Sequence, residues 1–261
     1  MTDKIVSTHE GGVAHIQFNN PEKRNAVSLE MWQAVGDALD GFAADDRIRV
    51  LVLSGAGDKA FVSGADISKF EQERSSTEAI HHYNAITADV FGRLAAFGKP
   101  TIAQITGSCV GGGVALAVCC DLRICGEGSR FGIPAAKLGL GYGFNGVNRL
   151  VNLVGPSFAK EIFFTARLFS SEEARQMGLV NRVVPDDQVV SYVADYARMI
   201  TDNAPLTVGS IKAIVGETQK DAADRDLEHC ADLVDTCYAS QDYIEGRRAF
   251  MEKRKPQFVG A

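Results

Sequence analysis

The 261-residue sequence has no excess of basic charge, no long hydrophobic run, no paired-cysteine motif and only one tryptophan. Its 27 Lys and Arg are outnumbered by 33 Asp and Glu, for a net charge of −6. That leaves no electrostatic footprint for a nucleic-acid partner. The basic run Arg247-Arg248…Lys253-Arg254-Lys255 is local and reads as the solvated end of a C-terminal helix. No apolar stretch approaches the ~20 residues that span a bilayer, and Met1-Thr2-Asp3-Lys4 opens no apolar signal core. No membrane partner is expected, and the expected location is the cytoplasm. The six cysteines (Cys109, Cys119, Cys120, Cys125, Cys230, Cys237) form no C-x-x-C pair, and no nearby histidine completes a zinc set. They are expected to be reduced, mostly buried thiols, and no metal site is expected.

Several catalytic signatures are missing too. There is no G-x-S-x-G, so Ser108 between its glycines lacks a nucleophile elbow. Gly111-Gly112-Gly113 is not followed by Lys-Ser/Thr, which excludes a P-loop. Gly141-Tyr142-Gly143-Phe144-Asn145-Gly146 spells G-x-G-x-x-G. No convincing strand precedes it, and Arg167 and Leu168 stand where an acidic residue would bind ribose.

What is present alternates strand and helix. Residues 5–9 and 13–18 read as a hairpin turning at Gly11-Gly12. Ser28 caps a helix bearing Met31, Val35, Leu39 and Phe42. Residues 49–54 read as a buried parallel strand. A loop over 55–67, a helix over 77–97 and a strand over 101–105 follow. A glycine-rich turn over 107–113 then leads to a short helix, 114–118, and a strand, 121–125. Residues 131–146 read as loop. Helices are expected over 146–154 and 157–166, and from a Ser170…Glu173 capping box. Residues 178–185 read as a last strand, and the rest as helical with a break at Ala204-Pro205. The fold class is therefore α/β with an all-helical appendage. We expect a core over 1–200 and a helical region over 201–261. No internal repeat is visible in the sequence.

The glycine triplet sits at a strand-to-helix turn, where helix N–H groups are unpaired and carry partial positive charge. It can serve an oxyanion or a tight helix–sheet contact. More specific is the ordered series Asp58-Lys59-Ala60-Phe61-Val62-Ser63-Gly64-Ala65-Asp66-Ile67, Gly107…Gly113, Cys120-Asp121-Leu122-Arg123, Phe131-Gly132-Ile133-Pro134, Leu138-Gly139, Gly178-Leu179-Val180 and Phe250…Lys253-Arg254-Lys255-Pro256. Over nearly the whole chain this resembles the crotonase (enoyl-CoA hydratase/isomerase) superfamily. The resemblance implies a spiral of ββα units whose helical C-terminal region trimerises, as a homotrimer or a dimer of trimers. It implies an acyl-CoA substrate held by the backbone N–H groups of Ala65 and Gly112. No cofactor is implied beyond the coenzyme A carried by the substrate. The loop Lys23-Arg24-Asn25-Ala26 and the segment Lys59-Ala60 would flank the nucleotide and pantetheine. Asp66 and Ile67 would border the adenine, and Phe250 and Lys253 would reach CoA from the last helix. Ser63, Gly64 and Gly111 complete the implied substrate-binding set.

Hydratases of this family use two glutamates, and the matching positions here are Ala115 and Ala135. Leu138-Gly139-Leu140-Gly141-Tyr142 resembles the active-site stretch of methylmalonyl-CoA decarboxylases, although the histidine those enzymes place at position 65 is an alanine here. Tyr142 and Asn145 are the candidate polar substitutes for the missing glutamates. Glu71, Glu73, His81 and His82 lie on a segment that could also reach the pocket. Three readings stay open: a hydratase/isomerase with unusual water-positioning groups, a decarboxylase or thioester hydrolase, and a non-catalytic acyl-CoA binder.

Overall fold

A computed structural model describes residues 2–69, 73 and 75–261. The chain opens with β1 (Ile5–Glu10) and β2 (Val13–Phe18), an antiparallel hairpin whose turn residues Gly11 and Gly12 both have positive φ. Helix α1 (Leu29–Ala43) starts where the Ser28 side chain accepts the Met31 N–H. Its buried stripe is Met31, Trp32, Val35, Gly36 and Leu39.

Three ββα turns follow. The first is β3 (Val50–Gly55), β4 (Ala60–Val62) and α2 (Thr77–Ala95). The second is β5 (Thr101–Ile105), β6 (Ser108–Val110) and α3 (Gly112–Ala117). The third is β7 (Leu122–Gly126), β8 (Arg130–Gly132) and α4 (Ala135–Leu138). The first strand of each turn joins one sheet, ordered β1-β2-β3-β5-β7-β10, and the second joins another, ordered β4-β6-β8-β9. The expected spiral is thus present, although no sequence repeat announces it: each turn has its own loop lengths and side chains.

The chain continues through α5 (Phe144–Thr165), β9 (Phe169–Ser170), α6 (Ser171–Gln176) and β10 (Arg182–Val184). Gly155, at φ 74 and ψ 166 before Pro156, kinks α5 into the two helices expected there. The capping box of Ser170 and Glu173 is formed. Several expectations need correction: residues 55–67 are not all loop, since β4 lies within them, and the strand expected over 178–185 is confined to Arg182–Val184. Residues 131–146 are not all loop, because β8, α4 and the start of α5 lie within or overlap that stretch. Residues 107–113 are not one turn: Ser108–Val110 pair with β8, out of reach of a reading that sees only glycines.

Helix α7 (Val189–Thr201) lays Val193 and Ala197 against Val50, Val52, Ile102 and Ile124 of the larger sheet. Beyond it, α8 (Pro205–Thr218) buries Ser210, α9 (Leu227–Ala239) buries nothing, and α10 (Gln241–Glu252) buries Asp242 and Ala249. Polar ties hold α8, the end of α7 and the segment beyond α10 to the core. Lys212 Nζ meets Asp121 at 2.7 Å, and Arg49 donates to the Thr201 and Phe258 carbonyls at 2.9 and 2.6 Å. The three helices leave Ile211, Val215, Tyr238, Phe250 and Met251 exposed around an apolar groove of about 820 Å³. No described helix is long and apolar enough to cross a membrane. Burial pushes the four core thiols up, Cys119 to about 11 and Cys125 to about 12, which suits inert side chains.

Candidate active site

The three consecutive glycines have three different jobs. Gly111 takes φ 55 and ψ −113, a conformation closed to other residues, and its N–H donates to the Gly132 carbonyl at 2.8 Å. Gly113 packs α3 onto β4: a Cβ there would sit 2.1 Å from the Val62 carbonyl oxygen. Gly112 is not a packing glycine. A Cβ on it would meet only ordinary contacts, 3.6 Å to Trp32 Cζ2 and 3.8 Å to Gly64 Cα. As the first residue of α3, Gly112 carries an N–H that no turn of its own helix can satisfy.

A second unpaired N–H lies beside it. Residues 24–27 run along residues 63–66. Ser63 N–H donates to Arg24 O (3.2 Å), Val27 N–H to Gly64 O (2.9 Å) and Asp66 N–H to Val27 O (2.9 Å). Strand alternation then turns the Ala65 N–H to the other side, where it has no hydrogen-bond acceptor among the described residues. The Gly64 carbonyl carbon, bonded to that nitrogen, lies 4.0 Å from where a Gly112 Cβ would be. Among the described residues neither N–H has an acceptor, and the two peptides lie close together between β4 and α3.

The residues implied for CoA divide into groups. Arg24 and Lys59 face a cleft of about 230 Å³, which Ala60 also lines and whose acids are Glu22 and Asp58. Lys23 does not line it. Its ammonium bonds Asp66 at 2.9 Å and Ser68 at 2.8 Å. Burial would raise the Asp66 carboxyl, but hydrogen bonds from Ser68 and Lys23 outweigh it and hold the group below its ordinary value. Ile67 is exposed on a single 3-10 turn, and Ala26 and Ser63 are half-buried on the paired segments. Phe250 lines the C-terminal groove instead of the cleft, and Lys253 ends α10 in a left-handed conformation. A single chain does not bring these two to Arg24.

Ala115 and Ala135 stand near the starts of two neighbouring helices. Val110 is paired with Gly132, so α3 and α4 begin at neighbouring strand ends. Ala115 is half-buried one turn into α3, and Ala135 is buried at the start of α4. Tyr142 is half-buried, its ring edge-on to Phe163 at 5.1 Å, as a wall residue would be. Asn145 is exposed on the first turn of α5. Glu73 is occupied in accepting the Leu29 N–H at 3.1 Å, and His81 and His82 are exposed on α2. Glu71 lies outside the described residues.

Sequence reasoning put Asn25 on the CoA loop without seeing its part as a buried tie, and missed Trp32. Asn25 is fully buried behind the Arg24 loop. Trp32 lies directly beneath Gly112, donates to Tyr83 Oη at 3.1 Å and meets Phe91 edge-on at 5.1 Å. A polar side chain between two loops and an aromatic among apolar helix positions carry no local signal of such roles.

Comparisons with known proteins cover the whole of this geometry. The family model described as "Enoyl-CoA hydratase/isomerase" matches residues 8–261. The crotonyl-CoA hydratase of Syntrophomonas wolfei subsp. wolfei is 37% identical over 98% of this chain and 98% of its own. The 2,3-dehydroadipyl-CoA hydratase of Escherichia coli is 32% identical over 100% of both. The crystal structure of an enoyl-CoA hydratase/carnithine racemase from Magnetospirillum magneticum superposes with a TM-score of 0.93 at 35% identity, covering 100% of this chain and 97% of that one. This chain belongs to the enoyl-CoA hydratase/isomerase (crotonase) family, enzymes that act on acyl-CoA thioesters.

Proposed function

We propose that the protein holds the thioester oxygen of an acyl-CoA between the N–H groups of Ala65 and Gly112, and works without the paired carboxylates of a hydratase. The observation that supports this is the closeness of two peptides whose N–H groups have no acceptor among the described residues, with Ala115 and Ala135 near the starts of two neighbouring helices. Donors fixed before reaction stabilise an enolate or a tetrahedral oxyanion, each by about 2.7–4 kcal/mol. Two methyl groups can neither take a proton from water nor give one to Cα. Decarboxylation suits such a site. Breaking the bond from Cα to the carboxylate sends its electron pair into the thioester as an enolate, releases CO₂, and leaves one later protonation of Cα. Coenzyme A enters as part of the substrate, and the cytoplasm is the proposed setting. Hydration is the reading favoured by the relatives' names. Incubating the purified protein with a panel of acyl-CoA thioesters and reading the products by mass spectrometry separates the two. We expect loss of CO₂ from a thioester with a carboxylate on Cα. Products that only gain water would refute decarboxylation.

We also propose that the exposed apolar face of α8, α9 and α10 is covered by further copies of this chain, as a trimer or a dimer of trimers. Contiguous apolar patches of this extent seldom face solvent in monomers. Phe250 and Lys253 then lie at a subunit boundary, where they can reach a neighbour's CoA. Sedimentation is expected to show a trimer or hexamer. A stable monomer that still binds CoA would contradict both the assembly and that role.

A further inference from the structure

Asn25 makes four hydrogen bonds from a fully buried position. Its Oδ1 accepts the Asn20 N–H at 2.9 Å, and its own N–H donates to Asn20 O at 2.8 Å. Its Nδ2 donates to Ala56 O at 3.0 Å and to Ala60 O at 2.7 Å. Its φ is 55, a left-handed conformation that Asn tolerates better than most side chains. Gly55 keeps the approach open, since a Cβ there would stand 2.6 Å from Asn25 Nδ2 and 2.3 Å from Ala60 O.

These bonds join two structures. On one side are the opposite walls of the cleft, with Arg24 on the first loop and Ala56, Lys59 and Ala60 on the second. On the other is the ladder in which residues 24–27 fix Gly64 and Asp66, and so aim the Ala65 N–H. We propose that Asn25 is a positioning residue that sets the separation of the cleft walls and couples the nucleotide end of the ligand to the thioester-holding donor. This rests on the reading that the cleft takes the nucleotide of CoA. Without Asn25 the carbonyls of Ala56 and Ala60 lose their donor, and the side-chain-to-backbone tie left between the two segments is the long bond from Ser63 Oγ to the Lys23 carbonyl at 3.4 Å. Leaving buried carbonyls without a partner is costly, so the second loop shifts to rehydrate them.

The test is calorimetric titration of coenzyme A into the wild type, Asn25→Gly and Asn25→Asp. The thermal midpoint of each variant is measured in parallel, to show that it is folded at the titration temperature. Glycine keeps the backbone conformation and deletes every side-chain tie. Aspartate keeps the acceptor for Asn20 and turns an anion toward two carbonyls, and it is the isosteric variant to use should glycine not fold. The expected result is binding by the wild type and at least a ~10-fold weaker Kd in the folded variants, as for loss of ~1.4 kcal/mol. Equal Kd values in folded variants would overturn the role of Asn25 and leave the CoA reading standing. Absence of binding by the wild type would overturn both.

Discussion

Gly112→Pro is expected to lower kcat on any substrate of this protein by at least ~100-fold, the effect of losing one oxyanion donor, while the protein stays folded. The substitution removes the N–H, puts a ring CH₂ in its place and also disturbs the turn. Gly112 is the first residue of α3, the position where proline is best tolerated because the missing N–H has no helical partner. The added Cβ would find Trp32 at 3.6 Å and Gly64 at 3.8 Å, both ordinary contacts. Gly113→Ala is the contrasting case, since its Cβ meets the Val62 carbonyl at 2.1 Å and must displace β4 or α3. Steady-state turnover and circular dichroism on Gly112→Pro read the two halves of the expectation. Unchanged turnover in a folded variant removes Gly112 from the chemistry.

Crotonyl-CoA hydration by the unmodified protein is expected to be slower by more than ~10³-fold than in a family member with both glutamates. A general acid or base contributes ~10²–10⁴, and groups that act as a unit do not add in full, so ~10³ is a conservative floor for losing two. Tyr142 is no carboxylate, and its ring is packed edge-on against Phe163. Asn145 can orient a water but cannot accept its proton. Glu73 is committed to the Leu29 N–H. A direct hydration assay settles the matter, repeated with Ala115→Glu and Ala135→Glu together. The double variant is expected to gain hydration, provided that the buried Ala135 site admits the longer side chain. Robust hydration by the unmodified protein would show that another acid–base pair acts here, and the decarboxylase preference would fall with it.

The central strands β3, β5 and β7 were legible because burial on both faces demands nearly unbroken apolar runs, as in Val50-Leu51-Val52-Leu53. Helix α1 was legible from Ser28 and its stripe, and α6 from its capping box. The smaller sheet was not. Its strands have two or three residues each, too few for any periodicity, and their pairing is decided by which loops the spiral stacks. In the site, Gly112 was legible as a helix-start glycine, but its difference from Gly113 was not, since that depends on Val62, 51 positions earlier by sequence number. The Lys23–Asp66 pair and the ties of Asn25 connect residues ~40 positions apart, with no spacing rule to announce them.

The indole of Trp32 is the only one in the chain, and it forms the floor under Gly112. Its ring nitrogen is bonded to Tyr83, its ring meets Phe91 edge-on, and its Cζ2 would lie 3.6 Å from a Cβ on Gly112. The protein therefore carries a built-in optical probe whose whole long-wavelength emission arises at the place where a thioester would rest. Spectra taken during titration or rapid mixing report on that spot alone, without a label and without a second emitter to subtract.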